Sequence, residues 1–138
     1  MIVILLAFLT LGAPASASPA VERTSTPVTT LAGKWRVTAV DDVSVDSSLG
    51  LTLRADARRI WWEPSCAGMV RYYRLIKARV HVSGYPRNEA PTIICPLAPP
   101  REMVGVFAAI DSATKVRRTS GTSVELSGGG HSLLLFSQ

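Results

Sequence analysis

Metal-ligating side chains are scarce in this chain of 138 residues: there are two cysteines and two histidines. His81 and His131 stand far from Cys66 and Cys95 with no ligand spacing, so a four-ligand structural zinc site is not expected, and no other metal or cofactor is implied. Long apolar runs are also missing. The longest is Ile2 to Leu11, and at about 1.5 Å per residue it reaches about half of a hydrocarbon core of roughly 30 Å, too short for a transmembrane span. Charged residues make up only 18% against 47% hydrophobic, which excludes a disordered chain. The net charge of +5 and pI near 9.8 are basic, yet below the density of a dedicated nucleic-acid binder, so no specific nucleic-acid partner is expected. No glycine loop follows a strand and opens a helix, so Gly128-Gly129-Gly130 reads as a hairpin connection and not as a phosphate cradle. Neither an internal repeat nor a linker to a second domain is present, and one domain, monomeric, is the expectation.

What is present begins with an address. The apolar run is followed by small residues from Ala13 to Ala20 that contain Ala15-Ser16-Ala17, an A-x-A cleavage pattern. Residues 1–17 therefore read as a secretory signal peptide, and the product as a periplasmic or secreted protein. No cysteine stands at the cleavage site, so a lipid anchor is not expected. Cleavage after Ala17 leaves 121 residues (138 minus 17). The stretch 18–30, rich in Ser, Thr and Pro and without apolar periodicity, reads as a disordered leader to a domain at 31–138. In an oxidising compartment Cys66 and Cys95 are expected to form a structural disulfide, which on the chain-entropy model would stabilise by about 3 to 4 kcal/mol. The competing use, a redox or catalytic pair, lacks a C-x-x-C motif or a partner histidine.

From Lys34 the apolar period is mostly two. Trp35, Val37 and Ala39 alternate with polar neighbours, as do Leu49, Leu51 and Leu53, and then Ala78, Val80 and Val82. These are strands with one wet face. Further strands are expected over 57–63, 69–76, 91–94, 115–119, 123–126 and 132–136. Alternation also requires Trp61 and Trp62 to face opposite sides of their strand, with Trp35 in the core. Only one segment changes period: Met103, Val106, Phe107 and Ile110 fall at i, i+3, i+4 and i+7, just after Pro99-Pro100-Arg101-Glu102. That spacing predicts one amphipathic helix. Seven to nine short strands, with a lone helix inserted before the last three, give a mainly β fold. The expected architecture is a small, closed or nearly closed antiparallel barrel whose helix covers an open end.

Candidate chemistry concentrates between Arg54 and Arg87, where eight basic residues meet two acids, Asp56 and Glu63. Arg58, Arg59, Arg71 and Arg74 are interleaved there with Trp61, Trp62, Tyr72 and Tyr73. One reading is a surface for an anionic partner with rings available for stacking, formed by Arg58, Arg59, Trp61, Arg71, Tyr73 and Arg74. The other is a solvated strand face, since Arg71, Tyr73 and Leu75 share one side and Val70, Tyr72, Arg74 and Ile76 the other. No catalytic constellation is visible: His81 reads as a strand-face residue, His131 as the exit of a glycine turn, and Asp41 and Asp42 as turn residues.

The order of landmarks resembles the META domain family, also called HslJ-like. It runs from Leu31-Ala32-Gly33-Lys34-Trp35 through Ser65-Cys66-Ala67-Gly68 to Cys95-Pro96 before a helix with Glu102 and Phe107, then Val124-Glu125-Leu126 and Leu133-Leu134-Leu135-Phe136. It spans about Leu31 to Phe136. The chain departs from the family at Ser65-Cys66-Ala67, where members usually show Gly-Cys-Asn, and in the Tyr85-Pro86-Arg87-Asn88-Glu89 loop. The resemblance implies a small exported or envelope-associated domain, stress-related in some members, without enzymatic activity; the basic surplus between Arg54 and Arg87 adds the expectation that it acts by binding a protein or anionic component of the envelope. Gly33-x-Trp35 also matches the first strand of lipocalin and avidin-like barrels, which implies a small-ligand carrier instead. An apolar internal cavity would favour that carrier, and an interior filled by Trp35, Leu51, Leu53, Val80 and Phe107 the accessory protein.

Overall fold

The computed structural model describes residues 26–63, 69–84 and 98–138. Strand β1 (Gly33–Val40) buries Trp35 and Val37 on one face. It turns through Asp41 and Asp42, whose φ angles of 50° and 62° give the left-handed two-residue loop that matches hairpin twist. The chain returns as β2 (Val43–Ser44). A 3-10 turn at Ser47–Leu49 follows, its start capped by the Asp46 carboxylate, which accepts from the Ser48 N–H at 2.8 Å.

Strands β3 (Thr52–Ala55), β4 (Arg59–Trp62), β5 (Val70–Ile76) and β6 (Arg79–Ser83) then pair antiparallel in sequence. Helix α1 (Arg101–Ser112) precedes β7 (Lys115–Ser120), β8 (Ser123–Gly128) and β9 (His131–Ser137). Strand β9 pairs back onto β1, from Trp35 opposite Ser137 to Val40 opposite Leu133. Eight strands thus close into an antiparallel barrel, with β2 as an extra rung on β1. Among the described residues the fold is mainly β with a single α-helix before the last three strands, as the change of apolar period predicts.

The barrel interior is solid. Trp35, Leu51, Leu53, Val80 and Phe107 are all buried in one cluster with Leu126, Leu133 and Leu135. Helix α1 covers one end, burying Met103, Val106, Phe107 and Ile110 and packing against β1, β6, β8 and β9. The opposite end is crossed by residues 26–32. Val28 is buried beside the β5–β6 turn, and Leu31 lies deeper still. The Trp35 Nε1–H donates to the Leu31 carbonyl at 2.6 Å, and the Tyr73 hydroxyl accepts from the Leu31 N–H at 3.2 Å. Residues 26–30 of the expected leader (18–30) thus run into the fold, where Val28 and Leu31, three positions apart, bury at the barrel mouth without making a repeat that alternation could reveal.

Two local expectations are corrected. Leu49 is not a strand residue: it closes the 3-10 turn and is 47% exposed. Ala57 and Ala78 lie in turns, so β4 and β6 each begin later than alternation suggests. The two tryptophans do divide, with Trp62 buried and Trp61 half-buried on the outer face. Among the described residues, no helix is long and apolar enough to cross a membrane. Cys66 and Cys95, residues 1–25 and the expected strand at 91–94 lie outside the described residues.

Candidate anion-binding groove

The outer face of β4, β5 and β6 is built by alternation. Arg59 and Trp61 on β4, Tyr72 and Arg74 on β5, and Arg79, His81 and Ser83 on β6 point away from the core. Register sets Tyr72 between Arg59 and Ser83, and Arg74 opposite His81. Above them, the turn from β3 to β4 is pinned by Asp56, whose Oδ1 accepts from the backbone N–H groups of Arg58 (2.8 Å) and Arg59 (2.7 Å). This turn chemistry holds Arg58 out over the strands.

The acids of this face are committed. The Asp56 Oδ2 accepts from Arg59 Nε at 2.9 Å and Nη2 at 2.7 Å, while the Arg59 guanidinium lies 5.7 Å from the centre of the Trp61 ring. Glu63 pairs with Arg54 at 2.8 Å. Burial alone would push the Asp56 carboxyl up, but the Arg58 N–H, the Arg59 side chain and the Arg59 N–H together hold it below the ordinary carboxylate value. Arg58, Arg74, Lys77 and Arg79 are exposed and have no carboxylate partner among the described residues.

An open groove of about 760 Å³ runs along this part of β5 and β6; Arg58, Tyr72, Arg74 and His81 line it from the outward side, and Thr29, Thr30 and the inward-facing Tyr73, Leu75 and Val82 line it from the barrel side. A second recess of about 420 Å³ adjoins it and shares Ala57, Arg58 and Tyr72. Arg58 and Tyr72 thus stand where the two meet.

The sequence-derived set divides. Arg58, Arg59, Trp61 and Arg74 share the outer face. Arg71 and Tyr73 instead point toward the barrel interior. The Arg71 side chain is 20% exposed, donates from Nε and Nη2 to the two carboxylate oxygens of Asp111 on α1 (Nη2 to Oδ2, 2.9 Å), and lies 5.2 Å from the centre of the Phe107 ring. It ties strand to helix. The buried Tyr73 hydroxyl donates to the Asp56 carbonyl and accepts from the Leu31 N–H, and burial pushes its pKa up. Residue-type counting also passed over Thr29, Thr30 and His81. His81 could have been found by pairing the alternation of adjacent strands, whereas the threonines carry no such signal.

At the helix-covered end, His131 Nδ1 contacts Asp41 Oδ2 at 2.9 Å, and the other carboxylate oxygen accepts from the Ser132 N–H at 2.9 Å. This contact locks the β1–β2 turn to the β8–β9 turn. The Ser132 N–H, followed by the His131 side chain, holds the Asp41 carboxyl below its ordinary value. Among the described residues no three His, Cys, Asp or Glu side chains converge as a metal-ligand set. No protein-family model, curated protein or solved structure matches the chain.

Proposed function

We propose that this chain is an exported, non-enzymatic accessory protein of the META or HslJ-like kind, which binds an anionic component of the cell envelope through the outer face of β4, β5 and β6. The observation that carries the reading is the groove itself. Arg58 and Arg74 border it and Arg79 continues the outer face on β6, all three exposed and without carboxylate partners among the described residues, while Asp56 and Glu63 are held by Arg59 and Arg54. Such a face attracts anions over roughly a Debye length, about 8 to 10 Å near physiological salt. The filled interior supports surface binding over the carrier alternative, because the side chains that would line a ligand cavity occupy it.

Retention of the exported protein on an immobilised polyanion tests this. Retention should fall as salt rises from about 50 to 200 mM and should be lost when Arg58 and Arg74 are both replaced by Ser. Retention that ignores both salt and the double substitution would overturn the reading. So would a turnover that depends on His81 or His131.

A further inference from the structure

We infer that the anion is an extended glycan chain carrying carboxylate or phosphate groups, lying along β5 from Arg58 past Tyr72 and Arg74 toward Arg79. This rests on the anion-binding reading above and narrows it to a ligand class. Three features favour a linear chain over a compact ion. The cationic positions are spread: Arg74 is two residues beyond Tyr72 on β5, and Arg79 opposes Ile76, two residues further. At about 3.3 Å per residue along a strand and roughly 5 Å across to its neighbour, the Cα atoms of Arg74 and Arg79 stand about 8 Å apart, a line of cations along the face that suits a repeating charge. Two recesses also lie side by side, with Ala57, Arg58 and Tyr72 lining both, so a chain that fills one stands beside the side chains of the other. Finally, Tyr72 lines both grooves beside the Thr29, Thr30 and Ser83 side chains, and a ring edged by hydroxyl groups suits the apolar face and hydroxyls of a sugar.

The distribution of apolar side chains disfavours the other large anionic surface, a lipid bilayer. A membrane-seeking face sets several exposed apolar residues among its cations. Here Val43, Leu49 and Val104 are exposed around the β1–β2 hairpin and α1, away from the groove, and on the basic face Ile76 stands alone among the described residues. The groove is concave, as a chain requires and a bilayer does not.

The test is direct titration of the full exported protein, by calorimetry at low salt, with galacturonate monomer, trimer and hexamer, with inorganic phosphate, and with vesicles containing phosphatidylglycerol. The inference expects the hexamer to bind at least about tenfold more tightly than the monomer, as linked contacts reinforce one another. Tyr72→Ala should weaken hexamer binding about tenfold while Tyr72→Phe preserves it, and Arg79→Ser should weaken the hexamer without changing the monomer. Equal affinity along the length series would overturn the glycan inference and leave anion binding standing. Vesicle binding with which the hexamer does not compete would do the same in favour of a membrane. If no polyanion binds even at low salt, the underlying reading fails as well, and circular dichroism of each variant distinguishes a lost site from a lost fold.

Discussion

Tyr73 holds Leu31: the phenol hydroxyl of a central strand residue accepts the backbone N–H of a residue 42 positions earlier, inside the barrel mouth. With the Trp35 indole on the Leu31 carbonyl, both backbone groups of the plug are satisfied by side chains and not by a strand partner. Buried backbone groups left unpaired cost free energy, so these two bonds allow residues 26–32 to cross the end of the barrel.

Tyr73→Phe keeps the ring and removes the acceptor, leaving the Leu31 N–H unpaired. Stability should fall by about 1 to 3 kcal/mol, read by urea unfolding at neutral pH. The same hydroxyl makes the wild type sensitive to alkali. Burial raises its folded-state pKa above the unfolded value, so its contribution is complete below about pH 10 and is lost as pH rises through the folded value. Tyr73→Phe should lack that alkaline slope; an identical slope in both proteins would assign the effect elsewhere.

Acid sensitivity should come from the turns. The Asp56 carboxyl, which its Arg58 and Arg59 contacts hold low against burial, and the Asp41 carboxyl, lowered by Ser132 and His131, both titrate below their unfolded values. Between the two values the unfolded chain binds more protons. Their stabilisation is therefore complete above about pH 4 and declines as pH falls through the depressed folded values. Asp56→Asn retains an acceptor for the two backbone N–H groups but loses the charge that pairs with Arg59, so its melting temperature should be lower than that of the wild type at pH 7 and the two should converge as pH falls. A melting temperature lowered by the same amount at pH 7 and in acid would mean that the charge is irrelevant and the geometry alone matters.

The sequence patterns that proved readable are those in which local period and tertiary environment agree. Trp35 and Val37 in β1 and the Met103, Val106, Phe107 and Ile110 stripe of α1 bury the side chains that their spacing selects. Alternation in β5 correctly sorts Arg71, Tyr73 and Leu75 from Tyr72, Arg74 and Ile76, yet it cannot say that the first set faces inward. That depends on Asp111, 40 residues away on the helix, which makes an arginine tolerable at the barrel mouth. Leu49 fails for the opposite reason: its apolar character fits the period, but the local Asp46 cap turns the chain before it. The groove's threonines lie in a segment whose position is fixed by Tyr73 and Trp35, so nothing near them in sequence marks them.

Gly128 ends β8 against the exit of the helix. A Cβ there would stand 2.3 Å from the Ser112 carbonyl oxygen and 2.7 Å from the Thr114 nitrogen, both backbone atoms. Thr114 is itself held by its N–H to the Ser127 carbonyl at 2.9 Å, so the neighbour cannot retreat without breaking the β7–β8 ladder. Gly128→Ala should therefore destabilise by about 1 to 3 kcal/mol, the usual range for overpacking. Gly130, with open space at its Cβ position but φ of +83°, should cost less when replaced by Asn, which tolerates left-handed backbone. Equal losses at the two sites, measured by thermal unfolding, would show that turn conformation and not the helix contact sets the requirement.

Arg71 and Arg74, three residues apart on β5, should separate stability from binding. Arg71→Ser removes a guanidinium held between Asp111 and the Phe107 ring, and with it a link from strand to helix. Because the Asp111 side chain is 46% exposed, water and salt screen much of the ion pair, so the combined loss should be about 1 to 2 kcal/mol. Arg74→Ser removes an exposed side chain with no carboxylate partner among the described residues, and surface changes of this kind stay within about 0.5 kcal/mol. The expected pattern is a lower melting temperature with unaltered polyanion retention for Arg71→Ser, and the reverse for Arg74→Ser. If Arg71→Ser weakened retention while the folded population stayed full, the binding face would have to include the barrel mouth, and the outward set of β5 would not by itself define it.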